Sequence, residues 1–130
     1  ISDFLRFTYI TNDGIAFGLD PFGDYDLLLL IVSIVAILFI FKLLFDSKDE
    51  SRLHVFSLSF ILGGALGNIV DRFFTAFNLM NYQGVIDFID IGINEYRFYI
   101  FNFADFFISL GIILYLTSII ITKTVDEQKS

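Results

Sequence analysis

The chain has 130 residues, one domain's worth, of which 56% are hydrophobic and 18% aromatic (18 of them Phe) against only 18% charged. Soluble domains carry about 25% charged residues and disordered chains are poor in apolar ones, so this composition, with a mean hydropathy of +0.76, excludes disorder and points away from a water-soluble enzyme. A formal charge of −7 argues against a nucleic-acid partner, and the absence of Cys removes disulfides, thiolate catalysis and thiolate metal ligation together.

The chain opens on a strand-like run, Phe4 to Ile10, rich in aromatic and β-branched residues. Leu27 to Phe41 then carries no charge, and because Lys42 can snorkel, a first membrane span is expected over 27–45. A short polar turn, Asp46 to Arg52, leads to a second span over 53–70. Further strand-like stretches follow at Val85 to Ile89 and Tyr96 to Ile100, and a third span covers 101–122. The whole chain, 1–130, reads as a single integral-membrane domain.

Lys42, Lys48, Arg52, Lys123 and Lys129 fall on one side of such a bundle, and Arg6, Arg72 and Arg97 on the other. The positive-inside rule places the 46–52 turn and the C-terminus in the cytoplasm, leaving 1–26 and 71–100 outside. An outer N-terminus without a signal sequence implies a further helix upstream of Ile1.

Polar residues concentrate at the outer ends of the second and third spans, where ionisable groups are costly and therefore suggest function. Asn68, Asp71 and Arg72 follow a glycine-rich stretch in which Gly63 and Gly67 form a small-xxx-small pair suited to close helix packing. Asn102 and Asp105 share one helical face at the start of the third span, where a carboxylate also suits the helix dipole. Asp87 and Asp90 lie in Val85-Ile-Asp-Phe-Ile-Asp90, and their odd separation sends them to opposite faces of a strand, so one alone can share a cleft with Asp105. Spacing does not choose between them. The lone histidine, His54, starts a span at the opposite end, so a Ser-His-Asp triad would lack its base and zinc its imidazoles; it reads as an interfacial residue. Two carboxylates and a water suffice for an aspartic dyad, in which the pair shares one proton because neighbouring like charges cannot both ionise.

The order of blocks is more specific than any one of them. Tyr9 to Gly18 (YITNDGIAFG), Gly63 to Arg72 (GGALGNIVDR), Gly84 to Phe88 (GVIDF) and Phe101 to Asp105 (FNFAD) together resemble the bacterial lipoprotein signal peptidases, signal peptidase II, over nearly the whole chain. The resemblance implies that Asp87 and Asp105 are the catalytic pair, with Asn12, Asn68, Arg72 and Asn102 lining the site and Gly14, Gly64, Gly67, Asp71 and Ala104 in support. It further implies an α-helical transmembrane fold with a small β-cradle on the outer face, four helices in the family and hence a first one lacking here. The expected activity is removal of signal peptides from diacylglyceryl-modified prolipoproteins, with cleavage before the modified Cys, by a monomer of the bacterial inner membrane that touches membrane lipid and needs no metal or organic cofactor. The competing readings are a proton or ion pathway through Asp87, Asp105 and Arg72, which would scatter carboxylates across membrane depth, and a catalytically dead assembly module.

Overall fold

The computed structural model describes residues 4–12 and 25–129. Three helices, α1 (Asp26–Asp46), α2 (Arg52–Ala76) and α3 (Phe103–Lys129), are each long and apolar enough to cross a membrane. The 21 residues of α1 rise ~32 Å, enough for a hydrocarbon core of ~30 Å. Most large apolar side chains on these helices point outward, as a lipid solvent requires: Leu30 is the only buried residue among those described on α1.

Capping sets the helix starts. Ser51 is extended and its Oγ accepts the His54 N–H at 3.2 Å, so α2 begins at Arg52. At the far end α2 continues past Val70 to Ala76, so Asn68, Asp71 and Arg72 are all helical. Conversely α3 starts at Phe103, later than the expected span, because Phe101 pairs with Ile89 in an isolated bridge and Asn102 serves as the cap.

Antiparallel strands β1 (Leu5–Asn12), β2 (Val85–Ile93) and β3 (Tyr96–Arg97) form one sheet in the order β1-β2-β3. The β1–β2 register pairs Ile10 with Asp87 and Arg6 with Asp90, with an irregularity between Phe7 and Ile10. Between α2 and β2 the chain reverses through a short 3₁₀ turn, Leu79–Asn81, and enters β2 by Gly84, whose φ of 148° suits a residue without Cβ. The segment 96–100, expected as a strand, pairs as one only at Tyr96–Arg97.

Helix α2 is central, packed antiparallel against α3 and also against α1. The α2–α3 seam is built from small residues. A Cβ on Gly64 would stand 2.4 Å from the Ala104 carbonyl oxygen and 2.7 Å from Ile108 Cγ1, and one on Gly67 would lie 3.0 Å from Ala104 Cβ. Across the seam, a Cβ on Gly111 would meet Ile61 Cγ1 at 2.6 Å. Gly63 has open space instead, so the close approach uses Gly64 with Gly67, and the expected Gly63–Gly67 pair is corrected: the helix turns Gly63 away from α3. His54 also joins the seam, with Nδ1 3.3 Å from Ser118 Oγ and its ring centroid 4.9 Å from that of Tyr115.

Gly64→Ala is therefore expected to force α2 and α3 apart and to cost about 1–3 kcal/mol, as overpacking does. Gly63→Ala should be neutral or stabilising by up to about 1 kcal/mol, since Ala favours helix over Gly. Thermal unfolding of the two variants in one membrane mimetic tests the contrast; equal Tm values would contradict the assigned seam.

Candidate active site

Strand parity separates the two acids of β2. Asp87 is 2% exposed: its Oδ2 accepts from Asn12 Nδ2 at 3.1 Å and its Oδ1 from Asn102 Nδ2 at 2.8 Å. Asp90 turns the other way, where Oδ1 accepts from Arg97 Nε at 2.6 Å and Oδ2 from Thr8 Oγ1 at 3.3 Å. Asp87 is the member whose carboxyl senses the charge of Asp105.

Asp105 stands in the first turn of α3. Its Oδ1 accepts from Asn68 Nδ2 at 2.8 Å and its Oδ2 from the Asn102 N–H at 3.2 Å, while the Asp105 N–H donates to Asn102 Oδ1 at 3.0 Å. That reciprocal pair is a capping box, with Asn in the usual place of Ser or Thr and Asp in that of Glu. The helix-start role and a place beside Asp87 thus coexist in one residue.

Asn102, 5% exposed, is the hub. Its Nδ2 donates to Asp87 Oδ1, to Asn68 Oδ1 at 3.0 Å and to the Ile86 carbonyl at 3.3 Å, three acceptors for two hydrogens, so at least one bond is shared. The amides of Asn12, Asn68 and Asn102 therefore link both carboxylates into one connected set. No side-chain N or O buried among the described residues lacks a partner.

Burial raises the Asp87 carboxyl above the ordinary aspartate value. The Asn12 hydrogen bond opposes that rise, the Asp105 charge adds to it, and the Asn102 hydrogen bond opposes it again. Asp90 goes the other way: the hydrogen bond from Arg97 holds its carboxyl below the ordinary value.

The remaining residues take distinct places. Asp71 Oδ2 accepts the Ile86 N–H at 3.1 Å and so ties the end of α2 to the start of β2. Ala104 supplies the small surface that Gly64 and Gly67 approach. Arg72 lines a recess of about 10 Å³ with Asn12, Asp26, Leu29, Thr75, Gly84 and Val85. Among the described residues no hydrogen bond joins Arg72 to Asp87 or Asp105, so the structure does not gather it into the carboxylate set. Gly14, with the rest of 13–18 in the first motif block, lies outside the described residues.

Two clefts flank the set. One, of about 350 Å³, lies along the α2–α3 seam between Gly67, Asn68, Asp71, Ile86, Phe88, Asn102, Phe103 and Ala104. The other, of about 160 Å³, is lined by Phe98, Tyr99, Phe101, Asp105, Phe106 and Ser109. Sequence reasoning missed the second cleft, the Asp90–Arg97 ion pair and the part of Gly111 in the seam. An Asp and an Arg seven residues apart across a two-residue turn signal a hairpin pair, but only once the turn is known. Among the described residues, no group of three or more His, Asp or Glu is arranged to hold a metal ion.

Comparison with known proteins agrees with this architecture. A family model described as signal peptidase (SPase) II matches residues 1–121. The lipoprotein signal peptidase of Clostridium tetani is 39% identical over 130 residues, covering 99% of this chain and 78% of that protein. That of Chlamydia felis is 46% identical over 106 residues (81% and 59%), and that of Rickettsia felis 33% identical over 132 residues (100% and 62%). The chain thus spans less than two thirds of the length of several of these relatives. A solved structure described as a bacterial membrane enzyme superposes with a TM-score of 0.73 at 31% identity, covering 92% of this chain and 71% of that one. With these relatives, and with a family model that spans nearly all of its length, the chain belongs to the signal peptidase II family.

Proposed function

We propose that this chain carries the catalytic site of an aspartic endopeptidase that removes signal peptides from diacylglyceryl-modified prolipoproteins, cleaving before the modified Cys. The observation that carries the reading is the pair of carboxylates, Asp87 on β2 and Asp105 on α3, held by one amide network beside an open cleft. Asp87, buried and raised, holds the shared proton. Asp105, at the helix N-terminus and edging a cleft, is the partner carboxyl.

In the proposed reaction the Asp105 carboxylate takes a proton from water as its oxygen attacks the peptide carbonyl, and Asp87 donates its proton to the carbonyl oxygen. The tetrahedral gem-diol collapses when the leaving nitrogen accepts the proton now on Asp105 and Asp87 takes back a proton from one diol hydroxyl, yielding a carboxylic acid and an amine and restoring the starting pair. The amides of Asn12, Asn68 and Asn102 serve to position the carboxylates, and Arg72 serves to position substrate. The seam cleft, edged by the exposed ring of Phe103, suits a substrate whose lipid stays in the bilayer.

The site belongs on the outer face of the inner membrane, with the C-terminus in the cytoplasm, by the excess of Lys and Arg at the other end of the bundle. The chain is proposed to act as a monomer without cofactor. Clustering of Asp71, Asp87 and Asp105 at one end of α2 and α3 supports surface chemistry over an ion pathway, which needs carboxylates spread through the membrane.

With the full-length protein and a diacylglyceryl-modified precursor, Asp87→Asn and Asp105→Asn should each lower kcat by at least about 10²–10⁴-fold, the usual weight of acid–base catalysis. Asp90→Asn should keep kcat. Cleavage retained by either of the first two variants would sink the dyad.

The pH profile tests the proton assignment. The active form needs Asp87 protonated, so kcat should fall as pH rises through its raised pKa. Asn12→Ala removes a hydrogen bond that favours the Asp87 anion, so the pKa rises further and the descending limb moves to higher pH. A shift to lower pH would contradict the assignment.

A further inference from the structure

The acid of β2 left out of the dyad is fixed more firmly than sheet pairing requires. Asp90 is 7% exposed, and its carboxylate accepts from Arg97 Nε on β3 and from Thr8 Oγ1 on β1, while its carbonyl oxygen accepts from Arg97 Nη2 at 3.1 Å. One residue thus ties all three strands, and the fork of the guanidinium fixes both the position and the plane of the Arg97 side chain. The fit is close: a Cβ on the neighbouring Gly92 would meet Arg97 Cα at 2.7 Å.

Directly after Arg97 come Phe98, Tyr99 and Phe101, whose rings pack on one another with centroids 4.3–6.0 Å apart. These rings form one wall of the 160 Å³ cleft that Asp105 edges. The wall is held to β2 at both ends, by the Phe98 N–H donating to the Ile91 carbonyl at 2.8 Å and by reciprocal bonds between Phe101 and Ile89. Its distance from Asp105 therefore follows from how this segment sits on β2, where Asp90–Arg97 is the ion pair.

The lining sets the character of the occupant: Phe98, Tyr99, Phe101 and Phe106 make the cleft mostly apolar beside the Asp105 carboxyl.

We propose that the Asp90–Arg97 pair positions the aromatic wall of Phe98, Tyr99 and Phe101, which receives an apolar side chain of the precursor peptide beside Asp105. This inference rests on the peptidase reading. A pair that served stability alone would lower Tm and leave the KM of the folded enzyme unchanged. A positioning pair raises KM while kcat holds.

The test is a double-mutant cycle on the full-length protein with the lipid-modified precursor, with Tm measured for every variant. Asp90→Asn and Tyr99→Ala should each raise KM by about five- to tenfold with kcat within about twofold, and the double variant should be little worse than either, because both act through the same wall. Should Asp90→Asn fail to fold, Arg97→Lys, which keeps the charge but loses the fork, takes its place in the cycle with the same expectation. Multiplying KM effects, or a Tm loss with unchanged KM, would overturn the proposal. Asp105→Asn, assayed alongside, separates the two levels: cleavage by that variant removes the peptidase reading itself, whereas multiplying KM effects with an inert Asp105→Asn remove only the positioning role.

Discussion

The arrangement depends on one buried amide, that of Asn102. It donates to a carboxylate on β2, donates to the Asn68 amide on α2, and caps α3 through its oxygen. Strand, central helix and third helix thus meet at a single side chain. In a low-dielectric setting each of these bonds is stronger than in water, and each loss leaves a costly unpaired group. An aspartate at this position would bring a third carboxylate and no donor, and an alanine would leave oxygens of Asp87 and Asn68 short of a partner.

The network also needs α2 and α3 close enough for Asn68 to reach Asp105. Gly64, Gly67 and Ala104 meet that requirement at the outer end and Gly111 further along. Polar geometry and glycine packing are therefore one problem, since the amides span only hydrogen-bond distances and a side chain added at Gly64 would lengthen them. In a membrane, where apolar burial contributes little between helices, close packing and interhelical hydrogen bonds carry more of the association.

Much of this was legible in the sequence because the membrane simplifies the reading. Long uncharged runs have few other uses, and period-2 parity alone established that Asp87 and Asp90 part company. The choice between them came from the resemblance of ordered motifs; in the structure the two acids have separate partners, Asn12 and Asn102 for Asp87 and Arg97 and Thr8 for Asp90. The second span was set by its uncharged run, which stops before Asp71 and Arg72, while the helix itself continues to Ala76. Gly63 was misassigned because a small-xxx-small spacing does not say which neighbouring glycine faces the partner. The Asp90–Arg97 pair needed the β2–β3 turn, which depends on Asn94 adopting a φ of 53°.

Placing two acids three residues apart on one strand, one toward Asp105 and the other toward Arg97, makes length in β2 more consequential than composition. Many side chains along Val85–Ile93 could change and leave both acids aimed as they are. Inserting or deleting a single residue between Gly84 and Asp87 would rotate the following chain to the opposite face. Asp90 would then lie on the face that held Asp87, and Asp87 on the face that held Asp90. The strand works as a ruler, and in related chains this segment should tolerate substitution far better than a change of count.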